Sequence, residues 1–173
     1  MITLKPIRLK NMETFRHRLI TLEDTRFLHC DIKTLNLIPS VMAAQAAEEA
    51  GCTEAVLHRG DRVTEGAHSN VLIIKDGVLK TAPCDNLILP GITRMHVLQL
   101  AQQCGIPVEE KPFTVAELKD ADEILVTSSS ALCLRAESID GQAVRQSASE
   151  LVRQLQKAYQ EKFERETAGS LRR

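Results

Sequence analysis

The chain has 173 residues, enough for one ordinary domain with a real core, and its 22 basic and 23 acidic residues leave a formal net charge of −1. That balance offers no electrostatic footprint for nucleic acid or an anionic membrane, and no apolar run has the length of a bilayer span or a signal peptide. The five cysteines, Cys30, Cys52, Cys84, Cys104 and Cys133, are odd in number and scattered without a CxxC pair, which points to a reducing cytoplasm and away from a disulfide scaffold or a metal site.

In chain order, residues 1–18 are mixed and basic, carry Pro6, and read as a lead-in to a second unit over 19–173. "LITLEDTRFLHC" is rich in Leu, Ile, Thr and Phe and predicts an extended run. Its last two residues, His29 and Cys30, face opposite ways on a strand and are expected to pack, not to clamp a metal. Pro39 and Ser40 open an alanine-rich helix that Gly51 ends. "EAVLH" is a strand, "RGDR" a turn, and "NVLIIKDGVLKTA" a hairpin turning at Asp76-Gly77. A helix follows Gly91 and stops at Gly105, with Ile92, Met95, Val97, Leu98 and Leu100 as its expected buried face. "IPVEEKPF" is extended, and Thr114 with Glu117 forms a capping box for "VAELKDA". "EILVTSSSALCLRAESI" holds one or two strands before a turn at Asp140-Gly141. Ser147 and Glu150 predict a second capping box for a charged helix to about Thr167, and the tail "AGSLRR" is expected to fray. Strands and helices mix without a βαβ rhythm, so the expected class is α+β.

Four stretches have a physical reason to carry chemistry. In "FLHCDIKTLNLIP", Lys33 stands alone among apolar, small and uncharged polar residues, with Asp31 two positions before it. A buried lysine loses its proton more easily and serves as an amine nucleophile or base; the plain alternative is a lysine at a strand end in solvent. In "VTEGAHSN", Glu65 precedes a glycine that lets the backbone approach something closely, or is a solvated turn glutamate. In "LPGIT", Gly91 opens a helix whose first free N–H groups, on Ile92 and Thr93, can hold a phosphate, or is ordinary helix punctuation. "TSSS", residues 127–130, offers hydroxyls and amides at a strand end, or is ordinary loop composition. Together an amine, a carboxylate and two anion-holding loops are the parts that pyridoxal phosphate requires: a Schiff-base lysine, a partner for the pyridine nitrogen and a phosphate cup.

The order and wording of "CDIKTLNLIPSVMAAQAAEEAGCTEAVLHRGDRVTEGAHSNVLIIKDG", then "ILPGITR" and "VTSSS", closely resembles the D-amino acid aminotransferases, within the fold-type IV pyridoxal phosphate enzymes, from about residue 19 to 145. Branched-chain aminotransferases and aminodeoxychorismate lyases share that scaffold. The resemblance implies that residues 19–173 are the large C-terminal, cofactor-binding domain of that fold. It implies that Lys33 forms the internal aldimine and moves a proton between the substrate Cα and the cofactor, and that Glu65 bonds the pyridine nitrogen. Leu89 would pack on the ring, Ile92 and Thr93 would hold the phosphate, and Ser128 and Ser129 would sit near phosphate and substrate. Ser69 would stand one layer behind the ring. The implied reaction is D-alanine plus 2-oxoglutarate to pyruvate plus D-glutamate in a cytoplasmic homodimer, with D-amino acids and 2-oxo acids as small-molecule partners.

Family members begin with a smaller domain of about a hundred residues, a normal size for a separate unit, and this sequence has no match for it. "SSSALCLRAESIDG" also departs from the family, with Leu132 and Leu134-Arg135 where a polar or acidic residue and a Thr-Pro are usual. The other functional class is therefore a non-catalytic remnant that folds and binds pyridoxal phosphate or associates with other chains.

Overall fold

The computed structural model describes residues 9–168; the first eight residues of the expected lead-in and the tail from residue 169 lie outside them. The first strand, β1 (Arg16–Glu23), starts inside the expected lead-in, and Met12 before it is already part of the core. Helix α1 (Ile38–Glu49) leads to β2 (Glu54–Arg59), β3 (Arg62–Gly66), β4 (Asn70–Lys75) and β5 (Val78–Thr81). Helix α2 (Ile92–Gln103), β6 (Val108–Glu110), α3 (Val115–Lys119), β7 (Glu123–Ser128), β8 (Leu132–Ile139), β9 (Gln142–Ala143) and α4 (Ser149–Thr167) complete the described chain. One nine-stranded sheet runs β3-β2-β1-β8-β7-β4-β5-β6, with β9 on β8. It mixes parallel pairs (β1 with β2 and β8, β5 with β6) with antiparallel ones, as an α+β fold does.

The run "NVLIIK" in β4 is apolar on both faces because both faces are covered. Leu72 and Ile74 pack with Val97, Leu98 and Leu100 of α2 and Leu155 of α4, while Val71 and Ile73 join Ile88, Leu118, Ile124 and Val126 on the other side. A smaller cluster holds α1 to β2 through Ala47, Ala55 and Leu57. The β4–β5 hairpin turns at Asp76 and Gly77, both with positive φ (49° and 78°), a conformation that asparagine, aspartate and glycine tolerate. Thr114 and Glu117 close their capping box reciprocally.

Three expectations are corrected. The extended run ends at Glu23, not Cys30, because Asp24 turns inward to Arg26, Arg59 and Thr64; Cys30 is buried, but His29 is exposed. On α2 the buried side is Thr93, Arg94, Val97, Leu98, Leu100 and Ala101, while Ile92 and Met95 face outward. At 100° per residue, a stripe through 94, 97, 98 and 101 leaves 92 and 95 on the far side. The Ser147–Glu150 box does not form. The helix starts at Ser149, whose one hydroxyl proton is shared between Gln146 O (2.7 Å) and Glu123 Oε1 (3.0 Å), drawn there by the buried Arg135–Glu123 pair, and Glu150 pairs with Arg153 instead.

Candidate active site

At the end of β3 the chain turns within three residues: Gly66 N–H donates to Ser69 O at 2.7 Å, and a Cβ on Gly66 would collide with Ser69 Oγ. Ser69 is thereby committed to the turn. Its hydroxyl donates to Glu54 Oε2 at 2.8 Å, and Glu54 also accepts from the Ala55 and Ala67 amides. The turn places Asn70, the first residue of β4, beside Glu65. Asn70 Nδ2 donates to Glu65 Oε2 and to Leu89 O, both at 2.9 Å, and Leu89 N–H donates to the same Oε2 at 3.0 Å.

Glu65 is 4% exposed and faces one cation, Arg26, whose Nη1 donates to Oε1 at 2.5 Å. The rest of that guanidinium grips Asp24 through Nε and Nη2, both at 2.9 Å, and Asp24 also takes Arg59 Nε (3.2 Å) and Thr64 Oγ1 (3.0 Å). The two carboxylates settle differently. Burial pushes Glu65 up to about 7, with Arg26 and the Leu89 amide opposing it only in part. At Asp24 burial also raises, but the hydrogen bonds from Arg26 and then Arg59 win and hold it below the usual carboxylate range. Arg26, Asp24 and Asn70 are not among the residues that the sequence motifs point to. The signal available was the Asp24-x-Arg26 spacing, next to Glu23, where an apolar run breaks.

The open N-terminus of α2 lies against this knot. Gly91 is its N-cap, in extended conformation, and a Cβ there would strike Asn70 Oδ1. The amides of Ile92 and Thr93 belong to the first turn, which has no carbonyl to receive them within the helix, and the helix dipole adds positive charge at that point. Thr93 is buried, whereas Ile92 is 66% exposed. The Ser128–Ser130 turn flanks the same end of the sheet, because Asn70 and Thr127 are partners across β4 and β7. Ser128 Oγ accepts from Ala131 N at 3.0 Å, and Ser129 is exposed.

Lys33 is exposed, on the segment 24–37 that joins β1 to α1, and makes no hydrogen bond or ion pair among the described residues. The first part of that segment is fastened to the knot. Arg59 Nη2 donates to the carbonyls of Arg26 (2.8 Å) and Phe27 (3.0 Å), and Asn86 exchanges two bonds with Leu28 and Cys30. Along the chain near Lys33, Leu28, Ile32, Leu37, Ile38, Val41 and Met42 are exposed and Leu35 is 96% exposed, with His29, Asp31 and Asn36 exposed among them. The structure therefore joins Glu65 and Leu89 directly, sets the α2 N-terminus with Ile92 and Thr93 against them through Asn70, and leaves Ser128 and Ser129 at the same end of the sheet without a hydrogen bond to them among the described residues. It turns Ser69 toward Glu54 and leaves Lys33 out of contact. A cavity of about 210 Å³ opens between Arg26 and α1, lined also by Leu22, Pro39 and Met42 but by none of the expected site residues.

The family described as amino-transferase class IV matches residues 3–139. The D-alanine aminotransferase of Staphylococcus epidermidis is 47% identical over 142 residues, covering 82% of this chain and 50% of that protein. That of Listeria monocytogenes is 49% identical over 122 residues, 70% of this chain and 42% of that one. Among solved structures, the branched-chain amino acid aminotransferase of Thermobaculum terrenum in its PLP form matches with a TM-score of 0.81 at 29% identity, over 91% of this chain and 54% of that one. The chain spans about half the length of the curated relatives it matches.

Proposed function

The chain belongs to the class IV amino-transferases, and from that membership we propose that residues 19–173 are the pyridoxal phosphate-binding domain of a D-amino acid transaminase. Its reaction would exchange D-alanine and 2-oxoglutarate for pyruvate and D-glutamate. The observation that carries this is the buried Glu65, fixed by Arg26, Asn70 and Leu89 directly beside the open N-terminus of α2. The identity of 47–49% to D-alanine aminotransferases, against 29% to the branched-chain enzyme, favours the D-amino acid branch over the branched-chain aminotransferases.

The donor set fits the cofactor. Glu65 offers a carboxylate for a ring nitrogen, Leu89 a hydrophobic wall, and the Ile92 and Thr93 amides with the Thr93 hydroxyl a seat for a dianion; the Ser128–Ser129 turn adds hydroxyls at the rim. When bound, pyridoxal phosphate would supply the electron sink for a substrate that loses its Cα proton. Lys33 would hold the cofactor through its amine and, once the substrate's amine has taken its place there, the freed Nζ would be the base that takes that proton and returns it. Glu65 would support the sink by keeping the ring nitrogen protonated. Five free cysteines agree with a reducing compartment. The exposed apolar residues 35–42 support association, which we assign to a homodimer.

The exposure of Lys33 and of the apolar residues near it in the chain favours a second reading, a non-catalytic chain that folds and binds the cofactor or other chains. Absorbance titration with pyridoxal phosphate, then borohydride reduction and peptide mapping, separates the two. The transaminase reading expects the label on Lys33, its loss in Lys33→Ala, and a spectral change on adding D-alanine. A native chain that binds no better than Lys33→Ala overturns it.

A further inference from the structure

Each oxygen of Glu65 has two lone pairs. Oε2 spends both, on Asn70 Nδ2 and the Leu89 amide, and Oε1 spends one on Arg26 Nη1. A single lone pair, on Oε1, stays open. Arg26 cannot drift from this contact, because its Nε and Nη2 are committed to Asp24, Nη2 also reaches Leu87 O at 3.2 Å, and Asp24 is itself held by Arg59 and Thr64. We propose that Arg26 is a positioning residue: gripped by Asp24, it clamps Glu65 Oε1, sets a fixed positive charge against it, and leaves one lone pair aimed as the seat for a ring N–H donor. This rests on the pyridoxal phosphate reading above and assigns the residue that makes Glu65 usable in it.

The groups facing Glu65 are few. Arg26 is the cation in contact; Asp24 and, beyond it, Arg59 stand behind, and the Cys30 thiol looks toward the same cluster. Burial favours the protonated acid and Arg26 favours the carboxylate, so removing the guanidinium removes the cation in contact that opposes burial. Asn70 and the Leu89 amide would still hold the side chain in place, which makes its protonation state the sensitive readout.

The test uses the full chain without added cofactor, labelled with carbon-13 at the glutamate carboxyls, the Glu65 resonance being identified by its loss in Glu65→Gln. Arg26→Met is expected to raise the Glu65 titration midpoint by about one to three pH units, and Arg26→Lys to bring it back toward the native value. Arg26→Gln, whose amide can still donate to Asp24, carries the same expectation as the methionine variant and serves if that one does not fold. A midpoint unmoved in the neutral variants overturns the role of Arg26, whether or not the cofactor binds. Pyridoxal phosphate is then added to the native chain. A retained midpoint shift in a chain that takes up none upholds the clamp and overturns the cofactor reading instead.

Discussion

Replacing Gly91 by alanine puts a Cβ onto Asn70 Oδ1. The backbone at Gly91 (φ −66°, ψ 134°) suits any residue, so the effect is steric and not conformational. A free amide would swing aside at little cost. This one is buried, and its Nδ2 is tied to Glu65 Oε2 and Leu89 O, both at 2.9 Å. Overpacking of this kind costs about 1–3 kcal/mol. Asn70→Ala removes the obstacle but strands Leu89 O and one Glu65 lone pair, at about 1–3 kcal/mol. In that background the Cβ of Gly91→Ala meets only Arg94 Cβ at 3.7 Å, an ordinary contact. The reduced freedom of the unfolded chain, worth about 0.4–1 kcal/mol, then roughly offsets the poorer cap that alanine makes. The two changes should therefore couple by about 1–3 kcal/mol, with the double variant close to Asn70→Ala alone. Urea unfolding of the four proteins followed by far-ultraviolet circular dichroism, with equal m-values, measures this. Additive effects, or a Gly91→Ala variant as stable as the native chain, would refute the contact.

Two further outcomes follow from the same geometry. Because burial lifts the Glu65 carboxyl to about 7, the folded chain holds a proton that the unfolded chain releases near 4.5. The contribution of this carboxyl to stability is therefore full below about 4.5 and is lost as pH rises through about 7, by about 3 kcal/mol, and Glu65→Gln should remove that part of the pH dependence; parallel pH profiles for the two proteins would contradict it. Leu125, fully buried in β7 and paired to β4 and β8, should cost about 2–5 kcal/mol as alanine in the same urea experiment, and a loss under about 1 kcal/mol would argue against its place in the core.

Local chemistry was legible wherever a short stretch decides its own conformation. The Asp76-Gly77 hairpin and the Thr114–Glu117 capping box are complete within four residues, and both stand as read. What could not be read depends on partners distant in sequence. Ser149 displaces the Ser147–Glu150 box because Glu123, 26 residues earlier, receives its hydroxyl. Asp24 ends β1 because Arg59 and Thr64, 35 and 40 residues on, wait for it. In the site, Glu65, Leu89, Ile92 and Thr93 were visible as residue types, but the cation on Glu65 was not, since Arg26 lies 39 residues before it. The α2 face was misread at Ile92 and Met95 because apolarity alone does not say which side of a helix meets the sheet.

The position of β1 in the sheet also governs when the fold can be completed. It lies between β2 and β8, and Thr21 is tied to Asp140 across 119 residues by two bonds of 2.7 Å. During synthesis the hairpin of β2 with β3, and that of β4 with β5, can close as soon as they emerge. The seam joining the two halves of the sheet cannot form until β8 has been made. Non-local strand pairing of this kind slows folding and exposes unpaired edges while it waits, so β1 and β7 are the strands most open to capture by another nascent copy.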